Sequence, residues 1–231
     1  MAAYDTSASE PLETRSPVTV AARLDEPLSR WLWLVKWLLA IPHYIILWVL
    51  SVVYVVLSLV AMIAIVFTGR YPRGIFELNV GILRWSWRVA YYSYGALGTD
   101  RYPPFTLDEV PDYPATLDIA YPQTLSRGAA LVKWWLLAIP QYLVIGVFVG
   151  DYRVAGWPGV GLIGLLAVIA GVALAVTGRY LPELFDLIIG LDRWVLRVVA
   201  YASLMTDRYP PFRLDQGGRE PSRDTGVPGV W

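Results

Sequence analysis

The side chains with the most capacity for chemistry are arginines and carboxylates at helical spacing. Glu77, Gly81, Arg84 and Arg88 recur as Asp186, Gly190, Arg193 and Arg197. At ~100° per residue, each set falls within about 60° on one helix face. Two arginines at i and i+4 can clamp one carboxylate or phosphate through their planar forks. Alternatively, Glu77 and Asp186 neutralise Arg84 or Arg193, within the helix or between the two halves, and the stripe is structural charge pairing. A second basic set lies just upstream. Thr68-Gly69-Arg70-Tyr71 recurs as Thr177-Gly178-Arg179-Tyr180, and Arg70 and Arg73, or Arg179, stand beside the N-terminus of the next helix. Unpaired N–H groups and the helix dipole favour an anion there, and Pro72 and Pro182 suit the first turn. Arg70, Arg73, Arg84, Arg88, Arg179, Arg193 and Arg197 are therefore the candidate lipid- and anion-binding residues. The second corner has Leu181-Pro182 where the first has Pro72-Arg73, so its site should be weaker. The plainer alternative is a capped turn whose arginines reach up to a membrane surface.

Other reactive groups are scarce. The chain has no cysteine and one histidine, which removes thiol chemistry, disulfides and most imidazole metal sites. No phosphate-binding loop, nucleophile elbow, zinc-protease or dinucleotide motif is present. No catalytic residue, metal ligand or cofactor is assigned. A lipid-modifying enzyme would need Glu77, Asp100, Asp186, Asp192 or Asp207 to converge. His43 follows Pro42 and matches Gln141, so a role common to both is not titration. A hydrogen bond to a carbonyl freed by a proline kink serves both. Lys36 and Lys133, flanked by tryptophan, read as interfacial anchors.

The elements that must carry these residues follow from hydrophobicity. The chain is 56% hydrophobic and 16% charged, well below the roughly 25% charge of soluble domains. Its net charge is zero, which gives no case for nucleic acid. From Trp31 to Phe67 the only charge is Lys36, a run too long for one straight helix across a ~30 Å core. In the second half Gly128–Val149 and Trp157–Val176 are parted by a polar segment, 150–156, holding Asp151 and Arg153. A transmembrane hairpin in each half is expected, with the first turn near Leu50–Tyr54; one long helix kinked at Pro42 is the rival. Glycines 159, 161, 164 and 171 allow close helix approach. The arginine-striped helices, 75–97 and 184–204, also carry Trp85, Trp87, Tyr91, Tyr92, Trp194 and Tyr201, and are expected to lie in the membrane interface. Short strands at 17–23 and 116–121, with the segments after Thr-Asp-Arg-Tyr-Pro-Pro-Phe, should form a small cap outside the membrane. The fold class is thus all-α integral membrane: a tandem duplicated unit, each a hairpin plus an amphipathic interfacial helix, with short cytoplasmic strands. Basic residues gather on the side of the termini, which the positive-inside rule makes cytoplasmic.

The paired Leu-Leu-Ala-Ile-Pro segments at 38–42 and 136–140, with Thr-Gly-Arg-Tyr, Arg-Trp-x-x-Arg and Thr-Asp-Arg-Tyr-Pro-Pro-Phe, resemble an uncharacterised bacterial integral-membrane family, a domain of unknown function, in two tandem copies. The resemblance covers 17–215 and implies a bacterial inner-membrane location, but no activity. The expected organisation is a disordered tail over 1–16, repeats over 17–110 and 111–215, and a flexible tail over 216–231. The expected role is a non-enzymatic accessory or scaffold protein that binds anionic phospholipid headgroups and packs against itself or another membrane subunit. A small-solute transporter or channel between the repeats is the alternative. It would need polar residues near the bilayer midplane, and the apolar runs carry almost none.

Overall fold

The computed structural model describes residues 16–150, 153–154, 157–158 and 161–218. Asp151, Gly159 and most of both terminal tails lie outside the described residues. At the sheet end of the fold, β1 (Val18–Ala22) pairs antiparallel with β2 (Ala115–Ile119), and Val20 stands opposite Leu117. Both strands alternate. Val18, Val20 and Ala22, with Ala115, Leu117 and Ile119, are buried. Two strands alone are marginal in water, so their apolar face needs a helical layer. That layer is α3 (Arg73–Tyr92) and α7 (Pro182–Ala202). The strands cross over: β1 packs on α7, and β2 on α3.

A third layer covers α3 and α7 from the other side. In the first half it comprises α1 (Lys36–Leu39) and α2 (Ile41–Thr68). Here the structure differs from the expected hairpin: α2 is one helix of 28 residues with no turn at Leu50–Tyr54. That stretch has no Gly or Pro to break a helix, and Pro42 sits in the first turn, where its missing N–H costs nothing. In the second half come α4 (Arg127–Val132), a single wide π-turn (Lys133–Leu137) and α5 (Ile139–Val149), then β3 (Arg153–Val154), β4 (Trp157–Pro158) and α6 (Leu162–Thr177). Gln141 and Phe148 both touch Trp194 on α7, and α6 starts at Gly161, where a Cβ would overlap the Val149 carbonyl. Only Gly178–Leu181 separate α6 from α7, which holds the end of α6 at the start of α7. Between α5 and α6 in the chain, β3 and β4 pair antiparallel. Gly171 lies against the Trp33 ring of the other half.

The outer layer is apolar and open. Phe67, Val176, Trp48 and Trp31 are 75%, 77%, 71% and 66% exposed. Among the described residues, α2 is long and apolar enough to cross a membrane; a second candidate arises if Arg127–Leu137 and Ile139–Val149, bent by 47°, count as one span. Only 11% of the apolar window of α2 is buried within the protein, which distinguishes it from the core helix of a soluble domain. The aromatic face of α3, by contrast, is core. Trp87, Tyr91 and Tyr92 are buried between α2 and the sheet, where an interfacial helix would have turned them outward. Nor do the segments around Leu107 and Leu214 join the sheet; they lie over Gly81 and Gly190.

Lys36 and Lys133 prove to be buried ties rather than surface anchors. Lys36 donates to the Thr99 carbonyl at 2.7 Å and pairs with Asp100 at 2.9 Å. Asp100 also accepts the Ser29 N–H. Lys133 repeats this with Thr206, Asp207 and Ser126. Each cluster joins the exit of a striped helix to the entry of an apolar one. Removing one partner strands the other in a low-dielectric site. Lys36→Met is expected to lower the unfolding free energy in detergent by about 2–4 kcal/mol, as is Lys133→Met; a loss below about 0.5 kcal/mol in denaturant titration would show the tie to be incidental.

Candidate functional site

The arginine stripe is used internally. Arg84 donates Nε to the Leu117 carbonyl and a terminal nitrogen to the Asp118 carboxylate, both at 2.9 Å. Arg193 does the same for the other strand, reaching the Val20 carbonyl at 3.1 and 3.0 Å, with further bonds to the Asp215 and Gly217 carbonyls. Arg88 donates to the Asp108 carbonyl at 2.7 Å and to the Thr106 carbonyl. Arg197 pairs with the Asp215 carboxylate at 2.6 Å. Guanidinium groups suit this work because five N–H donors in a plane can serve several carbonyls at once. Glu77 and Asp186 form no ion pair with the stripe among the described residues: Asp118 pairs with Arg84 and Asp215 with Arg197, while Arg193 donates to main-chain carbonyls. These partners come from the sheet and the exit segment, which helical spacing does not reveal.

The corners are different. Gly69 and Gly178 end α2 and α6 with φ of 73° and 74°, the left-handed cap that glycine adopts at no steric cost. Thr68 and Thr177 accept the N–H of Arg70 and Arg179 at 3.2 Å, and both arginine side chains are exposed. A second arginine arrives at each corner from the other half. A Cβ on Gly69 would lie 3.4 Å from Arg127 Nε, and one on Gly178 would press on the Arg30 guanidinium. Among the described residues none of Arg30, Arg70, Arg127 and Arg179 forms an ion pair. Arg30 and Arg127 were missed as site residues; their signal was the repeated Leu-Ser-Arg, whose serine caps α4 through the Ala129 N–H. Arg73 turns away from the corner, over the Tyr121 ring at 5.0 Å. There it lines a groove of about 290 Å³ with Phe76, Glu77, Arg84, Asp118 and Ile119.

The acids do not converge. Asp100 and Asp207 are held by lysines, and Asp192 is buried with no hydrogen bond to Oδ2 among the described residues. Burial alone pushes the Asp192 carboxyl well above the ordinary carboxylate range. His43 and Gln141 do share a role, but the partner is an indole: Trp85 Nε1 donates to His43 Nδ1 at 3.1 Å, and Trp194 Nε1 to Gln141 Oε1 at 2.8 Å. Gln141 also donates to the Pro210 carbonyl at 3.0 Å. Among the described residues no group of acids or histidine is placed to hold a metal.

Comparable contacts recur in the two halves, and a family model matches residues 30–106 and 158–213, over half of the chain. The chain belongs to the domain of unknown function family DUF4389. The two DUF4389 segments are consistent with two copies in tandem; they include both Thr-Gly-Arg-Tyr corners and both arginine stripes, and leave out β2, α4 and α5. No curated protein and no solved structure matches this DUF4389 chain significantly.

Two outcomes follow for this DUF4389 chain. Arg193 is fully buried and serves three carbonyls, whereas Arg84 is partly exposed and its acid partner Asp118 largely so. Arg193→Lys should therefore cost about 2–4 kcal/mol and Arg84→Lys about 1 or less; equal losses in parallel denaturation curves would remove the distinction. For Asp192 the raised folded pKa means that stability is lost as pH rises from the ordinary carboxyl value of 3.8 upward. Asp192→Asn should then be more stable than wild type by about 1–3 kcal/mol at pH 7 and nearly indistinguishable from it close to pH 4. A difference that does not change with pH would contradict this.

Proposed function

We propose that the protein is a non-enzymatic scaffold of the bacterial inner membrane, a tandem duplicated unit embedded through its outer helical layer and holding anionic phospholipid at the two corners. The observation that carries this reading is the meeting of two surfaces. The exposed apolar side chains of α2 and α6 run up to Phe67 and Val176, and immediately beyond them stand Arg70 with Arg127 and Arg179 with Arg30, all without acid partners among the described residues. Arginines at the edge of an apolar layer lie at headgroup depth, where each is worth about 1 kcal/mol towards an anionic surface.

The sheet supports a matching orientation. Ser16 and Gly218, the ends of the described chain, both lie at β1, on the side away from the apolar layer. With the basic residues on that side, both termini face the cytoplasm. The antiparallel pairing of β1 with β2 about Val20 and Leu117 supports a reading in which both corners meet the same leaflet. Among the described residues neither half offers converging acids or a metal site, which is why binding is preferred over lipid modification. The open apolar faces of α2 and α5 also suit packing against a second copy or another membrane subunit.

The test uses protein in nanodiscs of phosphatidylcholine with and without ~20% phosphatidylglycerol. Native mass spectrometry should retain phosphatidylglycerol on the wild type and about tenfold less on Arg30→Ala/Arg70→Ala/Arg127→Ala/Arg179→Ala. Equal retention by that variant would sink the corner assignment.

A further inference from the structure

The groove between α3 and β2 has a twin that the chain fills itself. Between α7 and β1, the Gly218 carbonyl accepts the Ala22 N–H at 2.8 Å, the Gly217 carbonyl accepts from Arg193 at 2.9 Å, and the Gly217 N–H lies 3.4 Å from the Asp186 carbonyl. The C-terminal segment, expected to be free from Gln216 onward, is thus held through Gly218. Both positions call for glycine. Gly217 has a φ of 97°, where a side chain is strained, and a Cβ on Gly218 would stand 2.3 Å from the Ala22 carbonyl oxygen and 3.8 Å from Phe185 Cε1. Phe185, Asp186, Arg193 and Ala22 correspond in the repeat to Phe76, Glu77, Arg84 and Ile119, and all four of these line the open groove.

The first half cannot supply the same strap. Val110-Pro111 follow Leu107-Asp108 at the distance at which Gly217-Gly218 follow Leu214-Asp215. A β-branched residue does not take the φ that Gly217 adopts. The Val110 carbonyl instead accepts the Tyr113 N–H at 3.0 Å, and the chain turns away into β2. The donors that the strap would meet are left open. Because the Ala22 N–H turns outward to Gly218, the pair Ala22–Ala115 does not exchange ladder hydrogen bonds, and by the alternation of antiparallel ladders neither does Val18–Ile119. The Ile119 N–H therefore lies on the outer edge of β2, with no hydrogen-bond partner among the described residues. Arg84 gives Nε to Leu117 and one terminal nitrogen to Asp118; its other terminal nitrogen remains for a carbonyl, as Arg193 serves Gly217.

We propose that the α3–β2 groove binds a Gly-Gly segment of another polypeptide, laid along the outer edge of β2 as Gly217-Gly218 lies on β1. Recognition is through the main chain, with one carbonyl taking the Ile119 N–H and the one before it taking Arg84. Charge plays no part in the choice: Arg73 and Arg84 in the lining are balanced by Glu77 and Asp118, which suits an uncharged dipeptide. The partner comes from outside the chain. Gly217-Gly218 is the only pair of adjacent glycines in the sequence, and it is already bonded to β1, in a second copy as in the first. The groove is on the sheet side of the protein, so this site stands or falls independently of phospholipid at the corners.

The test titrates the full chain in detergent with two blocked peptides, acetyl-Gln-Gly-Gly-Gln-amide and acetyl-Gln-Ala-Ala-Gln-amide, and follows backbone amides by NMR. The Gly-Gly peptide should shift the Ile119 amide, saturating with a Kd of about 1–10 mM, the range open to so small a ligand. Binding of the Ala-Ala peptide should be about tenfold weaker or more, since its methyl groups meet the β2 main chain. The Ala22 amide, held by Gly218, should not move with either and reports that the fold is intact. No shift at Ile119 with ~30 mM Gly-Gly peptide, or equal shifts with both peptides, would overturn the proposal. So would an Ile119 amide that is protected from hydrogen exchange without peptide and loses that protection on dilution, because a second copy would then occupy the groove.

Discussion

The fold depends on arginine donating to main-chain carbonyls across a helix–sheet interface. A two-stranded sheet has two outer edges, and every carbonyl on them that leaves water needs a donor. Val20 and Leu117 are the central pair, and their outward carbonyls are met by Arg193 and Arg84 from the helices packed beneath. Each helix is thereby fastened to the sheet in one register, since sliding by a residue would present an N–H where a carbonyl is needed. Without these side chains the sheet would have to be wider or wetter.

From that fastening the layer order follows. The sheet is polar outward, with Asp118 exposed. The middle layer buries its aromatics on both sides, and the outer layer exposes Trp, Val, Ile and Leu without interruption. One side of the protein is thus polar and the other openly apolar. Hydrogen bonds between the halves occur within the apolar region too: Tyr54 donates to Ser203 at 2.7 Å, which satisfies two hydroxyls that lipid could not.

Much of this was legible in the residues. The two strands, the striped helices and the corner glycines follow from alternation, helical spacing and the run of apolar residues. The stripe was visible, but its purpose was not, because spacing along one helix shows which arginines share a face and nothing about what lies opposite. Of the true partners, Asp118 lies on the outward face of β2 and Asp215 in an exit segment with no periodic signal. The lysines misled for a related reason. A basic residue flanked by tryptophan is the pattern of an interfacial anchor, and only three-dimensional proximity shows Asp100 waiting for Lys36. The missing turn in α2 was legible from the lack of Gly and Pro at Leu50–Tyr54, yet the polar break at 150–156 in the other half outweighed it.

The crossing of β1 onto α7 bears on how the chain is made. Val20 leaves the ribosome early, but the guanidinium that satisfies its carbonyl lies 173 residues later. The apolar face of β1 has no permanent cover until the last helix is synthesised. Closure must therefore be late and governed by contacts distant in sequence, which slows folding and prolongs exposure of apolar surface. A chain of this design favours assistance that keeps the first half shielded until the second has emerged.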